Sequence, residues 1–362
     1  MRDFFLHLRN LDWIFVLSAV LLVVLGLLSI YSSSLGKGDF LNFKKQLIFA
    51  GLGFLLLFLF SFLDYRILRT NPYLVLVLYF LCLLALAGLF FFAPEIRGVK
   101  SWYKLGPISF DPIEFTKIIL VILLAKYFSM RHAEMYRVRH ILLSGLYVFF
   151  PVALIFFQPD LGSVLILLAL WLGILIISGI KLKHFFILLL CGLLILVLSW
   201  GYFLKDYQKE RVLGFIFPSD PLGAGWSQNQ AKIAIGSGGI LGQGIGLGSQ
   251  TQYGFLPEPQ TDFIFAAIAE ETGLLGAGIL LLLFLVLLWR IIKIAIDSQT
   301  NFSRLFATGF SLLLISQIFI HIGMNLGLLP IIGISLPLVS YGGSGLIVFL
   351  AGIGILQSMR NS

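Results

Sequence analysis

The sequence predicts an all-α, polytopic integral membrane protein with about ten transmembrane helices. Apolar residues make up 59% of the 362 residues and charged residues only 12%, and the mean hydropathy is +1.02. A water-soluble domain of this length does not carry so much apolar matter. Because the apolar stretches recur along the whole chain, we expect a single membrane domain over residues 1–362 rather than a soluble domain with an anchor.

The expected spans follow from the length that a helix needs to cross a bilayer, about 20 mostly apolar residues. Ten segments approach this length, and the fourth and fifth are short. They are 12–32, 45–63, 73–93, 113–128, 141–157, 161–180, 184–204, 262–289, 303–327 and 337–358.

The basic residues of the short loops predict the orientation. With the N-terminus in the cytoplasm, fourteen Lys and Arg residues fall on the inner side and six on the outer side. Because cytoplasmic loops are enriched in Lys and Arg, we expect both termini in the cytoplasm and the long loop 205–261 outside. The net charge of +8 is explained by loop topology, anionic lipid headgroups or a phosphate-bearing substrate, so a nucleic-acid partner is not expected.

The loop 205–261, between the seventh and eighth spans, is too long for an idle connector. Its aromatic and aliphatic content argues against disorder, so we expect short amphipathic pieces at the outer membrane face. Its segment GSGGILGQGIGLG (236–248) resembles a nucleotide-binding fingerprint, but no βαβ unit surrounds it. The glycines are expected to allow tight turns and close packing.

Four carboxylates stand in FLPEPQTDFIFAAIAEE (255–271), at the entrance of an apolar run: Glu258, Asp262, Glu270 and Glu271. Ionisable groups at membrane depth face the bundle interior or a watery cavity. Asp262 fits two roles that can coexist, a helix N-cap and a general base whose pKa is raised by partial burial. Glu270 is expected two turns deeper near the same helical face, with Glu271 pointing elsewhere. Neither is expected to be catalytic.

Two other acidic positions lie on the same predicted outer side. Asp160, in QPDLGS, is expected to cap a helix, and with Asp262 it could share a proton or a divalent cation such as Mg or Mn. The sequence assigns no metal with certainty. Glu114 and Lys117, three residues apart, are expected on one helical face. They form either a structural ion pair or a phosphate site in which Glu114 orients Lys117.

Further polar residues have less specific roles. Lys205, Lys209, Arg211 and Lys232 form either a solvated surface or a clamp for a diphosphate. His321 and Asn325, four residues apart in the ninth span, are expected to form hydrogen bonds across helices.

Six motifs together resemble the SEDS family (shape, elongation, division and sporulation), and its RodA branch more closely than its FtsW branch. They occur in the family's order and span nearly the whole chain. The motifs are QPDLGS (158–163), DYQKERV (206–212), PSDPLGAGW (218–226), QAKIAIGSGG (230–239), FLPEPQTDFIFAAIAEETG (255–273) and PLVSYGGSG (337–345).

The resemblance implies a peptidoglycan glycosyltransferase that polymerises lipid II at the outer face of the bacterial cytoplasmic membrane during cell-wall elongation. It also implies a class B penicillin-binding protein as partner and an essential catalytic aspartate at Asp262. The substrate-binding positions that it implies are Glu114, Lys117, Asp160, Arg211, Gln230 and Lys232. Two alternatives remain open: a lipid II flippase, and a scaffold without chemistry that recruits the penicillin-binding protein.

Overall fold

The computed structural model describes residue 9 and residues 11–94, 102–106, 108–130, 138–202, 205–216 and 225–360. It is almost entirely helical over these residues, with one short hairpin. Several positions used for the sequence predictions lie outside the described residues: Arg2, Arg97, Lys100, Arg131, Arg137 and the segment 218–224 of PSDPLGAGW.

Every predicted span overlaps a helix. These helices are α1 (Trp13–Lys37), α2 (Leu41–Phe62), α4 (Pro72–Phe92), α5 (Pro112–Ser129), α6 (Val138–Phe157), α7 (Leu161–Ile177), α8 (Leu182–Tyr202), α12 (Ile264–Asp297), α13 (Asn301–Leu326) and α14 (Gly343–Arg360). The shorter elements are α3 (Arg66–Thr70), β1 (Tyr103–Leu105), β2 (Ile108–Phe110), α9 (Asp206–Ile216), α10 (Trp226–Ser237) and α11 (Ser249–Gln252).

Among the described residues, eight helices are long and apolar enough to cross a membrane, so the chain is a multi-pass membrane protein. Two of the predicted spans, α5 and α7, do not meet that criterion. Helix α7 has only 17 residues, and α5 carries Glu114, Lys117 and Lys126 within 18 residues. Helix α5 is nevertheless buried along most of its length, so its charged side chains lie inside the bundle.

Polar residues placed just before the apolar runs define where several helices begin. The side chains of Asp12, Asn71, Asp111, Asp160 and Thr300 each accept a backbone N–H from the first turn of the following helix. Two of these caps are followed by proline, whose missing N–H costs nothing at the first helical position. The prediction that Asp160 caps a helix is confirmed.

The long loop contains the short helices α9, α10 and α11, and its glycine-rich part packs against a break in α12. That break is at Gly273, whose φ of 68° and ψ of −165° are not helical. The loop satisfies backbone groups there, because Leu274 N–H donates to Gly239 O at 2.9 Å and Gly244 N–H donates to Glu271 O at 2.9 Å. A side chain at Gly242 would place its Cβ 2.1 Å from Glu271 O. The glycines therefore permit close backbone contact, as the sequence predicted.

The last helix begins later than predicted, at Gly343 rather than at 337. The preceding residues form a turn that is hydrogen-bonded to the start of α12. Ser340 Oγ donates to Thr261 O at 2.9 Å, and Tyr341 N–H donates to Gln260 O at 2.8 Å. Because these groups are already paired with another segment, the turn does not continue the helix. The β1–β2 hairpin was not predicted either.

Candidate active site

A cavity of about 600 Å³ lies at one end of the bundle, a size typical of ligand sites. Its polar lining combines carboxylates with cations, and its remaining wall includes apolar and aromatic groups such as Phe49, Leu338 and Phe349. The charged residues that line it are Lys45, Lys104, Asp111, Glu114, Lys117, Asp160, Arg211, Glu258 and Asp262. Four predicted substrate-binding residues and the predicted catalytic aspartate therefore lie around one cavity.

Five of the predicted spans begin at this cavity, which adds positive potential to it. Residues at or near the N-termini of α2, α5, α7, α12 and α14 all contribute to its lining. The N-terminal end of a helix carries a partial positive charge and favours anions. The cavity can therefore stabilise a developing negative charge even though carboxylates line it.

Asp262 is half-buried on the cavity wall, in a turn just before α12. Its backbone is held in place because Asn325 Nδ2 donates to Asp262 O at 2.9 Å, while Asn325 Oδ1 accepts from Ala266 N–H at 3.2 Å. The capping role left open for Asp262 is wrong: α12 begins at Ile264, and the capping position is Phe263. The prediction of hydrogen bonds across helices is confirmed for Asn325, which pairs with Ala266 of α12, whereas His321 Nδ1 lies 2.7 Å from Ile334 O in the loop before α14.

Glu114 and Lys117 form a buried ion pair in the first turns of α5. Lys117 Nζ lies 2.7 Å from Glu114 Oε1, and both side chains are nearly inaccessible. Glu114 Oε2 is buried without a hydrogen-bond partner among the described residues. A buried carboxylate oxygen with no donor is costly. The pairing is therefore confirmed, and Glu114 retains an oxygen that can accept a hydrogen bond from a ligand.

Asp160 and Asp111 line the same cavity, each just before a helix. Both oxygens of Asp160 accept from Ser163: Oδ1 from the backbone N–H at 3.0 Å and Oδ2 from the hydroxyl at 2.8 Å. Burial, reinforced by the negative charge of Glu114 and opposed by Lys117, raises the pKa of the Asp111 carboxyl well above its usual range. The neutral form of Asp111 is thus favoured relative to that of an exposed aspartate.

Glu270 and Glu271 have a different role from the cavity carboxylates. Glu270 accepts from Gln250 N–H at 2.6 Å, Thr251 N–H at 3.0 Å and Thr251 Oγ1 at 2.7 Å. Glu271 Oε1 accepts from Ser32 Oγ and, at 3.3 Å, from Gly246 N–H. These two carboxylates join α12 to the long loop and to α1.

Glu270 does not share the surroundings expected from its spacing to Asp262, because Asp262 lines the cavity and Glu270 does not. Helix α12 starts only at Ile264, so helical spacing cannot be counted from residue 262. The two glutamates are tolerated at this depth because backbone and hydroxyl donors surround them, not because they face a watery cavity.

The residues of the predicted cationic clamp do not all lie at the cavity. Arg211, on α9, lines the cavity. Gln230 and Lys232, on α10, do not belong to its lining. The Lys232 Nζ lies close to Gly327, at the C-terminal end of α13, where the helix dipole favours a cation. Their role in substrate binding stays a prediction.

Within the described parts of the chain, no group of three or more His, Cys, Asp or Glu side chains is arranged to hold a metal ion. Asp160 and Asp262 line the same cavity. The sequence-based suggestion of an Mg or Mn site at these two residues stays a prediction.

Sequence reasoning missed several cavity residues, including Asp111, Lys45 and Lys104. The signal for Asp111 was present in FDPIEF, where Asp followed by Pro precedes a helix that carries a buried ion pair. From the sequence, Lys45 and Lys104 are only two of the six basic residues that the charge count places in the outer loops. Their convergence depends on how α2 and the β1–β2 hairpin pack, which local sequence does not specify.

Comparison with known proteins decides the family. Residues 11–362 match the family model for the cell cycle proteins FtsW, RodA and SpoVE. The chain belongs to the FtsW/RodA/SpoVE family. This is the SEDS family that the six motifs indicated, and because the model spans all three branches it does not separate them.

Three similar proteins illustrate the match of this family member. The peptidoglycan glycosyltransferase MrdB of Escherichia coli K12 is 40% identical over 284 residues, covering 78% of this chain and 76% of MrdB. A solved structure on the coordination of polymerization and crosslinking by a peptidoglycan synthase complex superposes with a TM-score of 0.82, 33% identity and coverage of 97% and 98%. The crystal structure of the rod shape determining protein RodA of Thermus thermophilus superposes with a TM-score of 0.73, 31% identity and 97% coverage of both chains.

Proposed function

We propose that this family member is a peptidoglycan glycosyltransferase that polymerises lipid II during cell-wall elongation, with Asp262 as general base. The observation that carries the proposal is the position of Asp262 on the same cavity as the Glu114–Lys117 pair and Arg211. A glycosyl transfer from a diphosphate needs a base near the acceptor hydroxyl and cations near the diphosphate that leaves. The names of the similar proteins support the reaction class.

The reaction proceeds by substitution at the anomeric carbon of the donor sugar. Asp262 takes the proton of the acceptor hydroxyl, whose oxygen forms the new glycosidic bond as the bond to the diphosphate oxygen breaks. Attack opposite the leaving group converts an α-linked donor into a β-linked strand. A positioned general base contributes a factor of about 10²–10⁴.

The leaving undecaprenyl diphosphate gains negative charge, which nearby cations stabilise. We assign this role to the cavity cations Lys117 and Arg211, together with the helix N-termini. Glu114 orients Lys117 through their 2.7 Å ion pair. Asp160 is proposed to contact substrate, and a divalent cation held with Asp262 would supply further charge stabilisation.

The position of the cavity fits a substrate that is both lipid and sugar. Five apolar helices begin at it, so a polyprenyl tail can remain beside the bundle while the saccharide enters from water. We place this end at the outer face of the cytoplasmic membrane and both termini inside, as the basic residues of the loops predict. The similarity to a complex that polymerises and crosslinks supports a class B penicillin-binding protein as partner.

The test is polymerisation of lipid II by the purified protein in detergent, with and without the partner. Asp262→Asn is expected to lower the rate by a factor of about 10² or more without lowering thermal stability. The assay is repeated with added Mg or Mn and with chelator, and a rate lost only in chelator assigns the cation a role.

Two outcomes would replace the proposal. Polymerisation that occurs only with the partner present and is unchanged by Asp262→Asn would point to a scaffold. No polymer from the native chain, combined with lipid II movement in vesicles, would point to a flippase. Against the flippase, Glu114, Lys117, Asp160 and Asp262 all lie at one end of the bundle, whereas transport needs a polar path through both leaflets.

A further inference from the structure

A second cavity, of about 510 Å³, lies at the opposite end of the bundle from the candidate active site. Its wall is formed by residues near the start of α1 and by residues near the ends of α2, α12 and α14. Five basic side chains and two carboxylates contribute to its lining: Arg66, Arg69, Arg290, Lys293, Arg360, Asp12 and Asp297. The proposed transfer reaction uses none of them.

One carboxylate of this cavity is already neutralised. Asp12 is only 3% exposed, and its Oδ2 accepts from Arg290 Nε at 2.7 Å and also from Arg290 Nη2. Two hydrogen bonds with Gln357, each 3.1 Å long, fix the backbone of Asp12. Arg290 is therefore held in one position by a single buried carboxylate oxygen that accepts from two of its nitrogens, which gives the cavity a rigid cationic wall.

Three further cations line the cavity from two other segments. Arg66 and Arg69 come from α3, and Lys293 comes from the last turns of α12. Within the described part of the chain, none of these three side-chain head groups forms an ion pair or hydrogen bond. An anion in the cavity would therefore gain contacts without breaking existing ones.

Hydroxyl groups at the start of α13 complete the lining. Thr300 caps this 26-residue helix, and both Thr300 and Ser303 line the cavity. The positive end of the α13 dipole points toward the same space as the three cations. Both features favour an anion with several acceptor oxygens over a single carboxylate.

Two tryptophans place this cavity at the level of lipid headgroups. Trp13 begins α1 and directly follows the lining residue Asp12. Trp289 lies about two turns before the end of α12 and directly precedes the lining residue Arg290. The two tryptophans are 52% and 59% exposed. The Arg290 guanidinium carbon lies 5.8 Å from the Trp289 ring centroid. Exposed Trp at the ends of spanning helices is typical of the membrane–water interface.

We propose that this cavity binds a phosphate-bearing anion, with the headgroup of an acidic phospholipid as the source that its position favours. Arg66, Arg69 and Lys293 would contact the phosphate, and Arg290 would provide the fixed wall. The hydroxyls of Thr300 and Ser303 lie 2.9 Å apart, and the one that does not donate to the other would donate to the phosphate. Such a ligand would join α3, the α12–α13 connection and the end of α14.

The experiment is native mass spectrometry of the full chain in detergent, titrated with phosphatidylglycerol and, separately, with phosphatidylcholine. A variant with Arg66→Gln, Arg69→Gln and Lys293→Gln removes three cavity cations. The matched control carries Arg139→Gln, Arg304→Gln and Lys183→Gln, exposed residues of the same types at the same end that do not line the cavity. Thermal midpoints of both variants verify that they fold.

The native chain is expected to bind phosphatidylglycerol with an affinity about tenfold or more above that of the cavity variant. The matched control should retain native affinity within about threefold, since it keeps every cavity contact. In a third arm, glycerol 3-phosphate is added to the native chain with phosphatidylglycerol. If glycerol 3-phosphate displaces the lipid at equal concentration, the site is assigned to soluble phosphate esters. If it does not, the site is assigned to lipid. Equal losses in both variants, or equal binding of phosphatidylcholine, would overturn the proposal.

Discussion

Glu114 and Glu270 are both buried carboxylates in membrane helices, yet the protein uses them differently. Glu270 is surrounded by two backbone N–H groups and a threonine hydroxyl within 3.0 Å. Glu114 has one partner, Lys117, and an oxygen without a hydrogen bond among the described residues. The first holds a loop in place, and the second lies on a cavity with capacity left for a ligand.

The comparison teaches that burial of a charge does not identify a functional site in this fold. What separates the two glutamates is the number of donors that the protein itself supplies. A buried carboxylate whose oxygens all accept hydrogen bonds from the protein is explained by its structural role. A carboxylate oxygen that faces a cavity without a donor is better explained by a role in ligand binding. Substitutions at both kinds of site can test this distinction.

The largest expected effect is on the Glu114–Lys117 pair. Lys117→Met leaves the Glu114 charge buried without its partner, so we expect a loss of about 3–5 kcal/mol in the free energy of unfolding. Adding Glu114→Gln removes that charge and should restore most of the stability. Thermal or denaturant unfolding in detergent measures both changes.

Activity of the double variant then separates the two roles of the pair. If Lys117 binds a diphosphate, Glu114→Gln with Lys117→Met folds but does not polymerise lipid II. A stable and fully active double variant would show that the pair is only structural, and the contrast with Glu270 would disappear.

The next effect is on Glu270. Glu270→Gln keeps one acceptor oxygen but places an amide group against N–H donors, so we expect a loss of about 3 kcal/mol in stability. The activity of each folded molecule should stay within about threefold of native, because the side chain does not line the cavity.

Glu210→Gln is the control for this change, since Glu210 is exposed on α9. Its stability should be unchanged. Should Glu270→Gln instead fold normally and lose polymerisation, Glu270 would have to be regrouped with the cavity residues.

A smaller effect is expected where the glycine-rich loop contacts α12. Gly242 and Gly254 have similar positive φ values of 83° and 76°, but of the two only Gly242 has backbone atoms within 4 Å of the point where a Cβ would be added. Gly242→Ala should therefore cost about 2 kcal/mol more than Gly254→Ala. Unfolding midpoints of the two variants test this, and equal losses would mean that the loop does not hold its close contact with Glu271.

The smallest effect is a pH dependence at Asp111. Its raised pKa means that the folded state retains a proton that the unfolded state has already released. Asp111 therefore lowers the free energy of unfolding, and this loss grows as the pH rises from the usual Asp pKa, about 4, to the raised pKa of the folded state. Asp111→Asn should therefore stabilise the protein increasingly over that window while preserving the cap of α5. Identical pH profiles for the native chain and the variant would contradict the raised pKa.

The family-level fold could be predicted because hydropathy acts locally. Each apolar run must become a helix, since its backbone groups have no other partner in lipid. Caps such as Asp160 were also predictable, because the cap and the N–H it accepts lie within three residues. The start of α14 was not, because the turn before it is fixed by bonds to Gln260 and Thr261.

The sequence could not predict which carboxylates stabilise the structure and which line the cavity. Asp262 and Glu270 are eight residues apart, but one meets a cavity and the other meets Gln250 and Thr251 of the long loop. Asp111 acquires its raised pKa from the burial produced by packing and from the charge of Glu114.

The sequence alone determined that this chain crosses a membrane many times, where its helices lie and which family it resembles, because these depend on the polarity and spacing of neighbouring residues. The tertiary structure decided which charges share a cavity, which are saturated by loop donors, and that a basic cavity lies at the other end. Those properties depend on contacts between residues far apart in the chain, and the polarity and spacing of neighbouring residues do not determine such contacts.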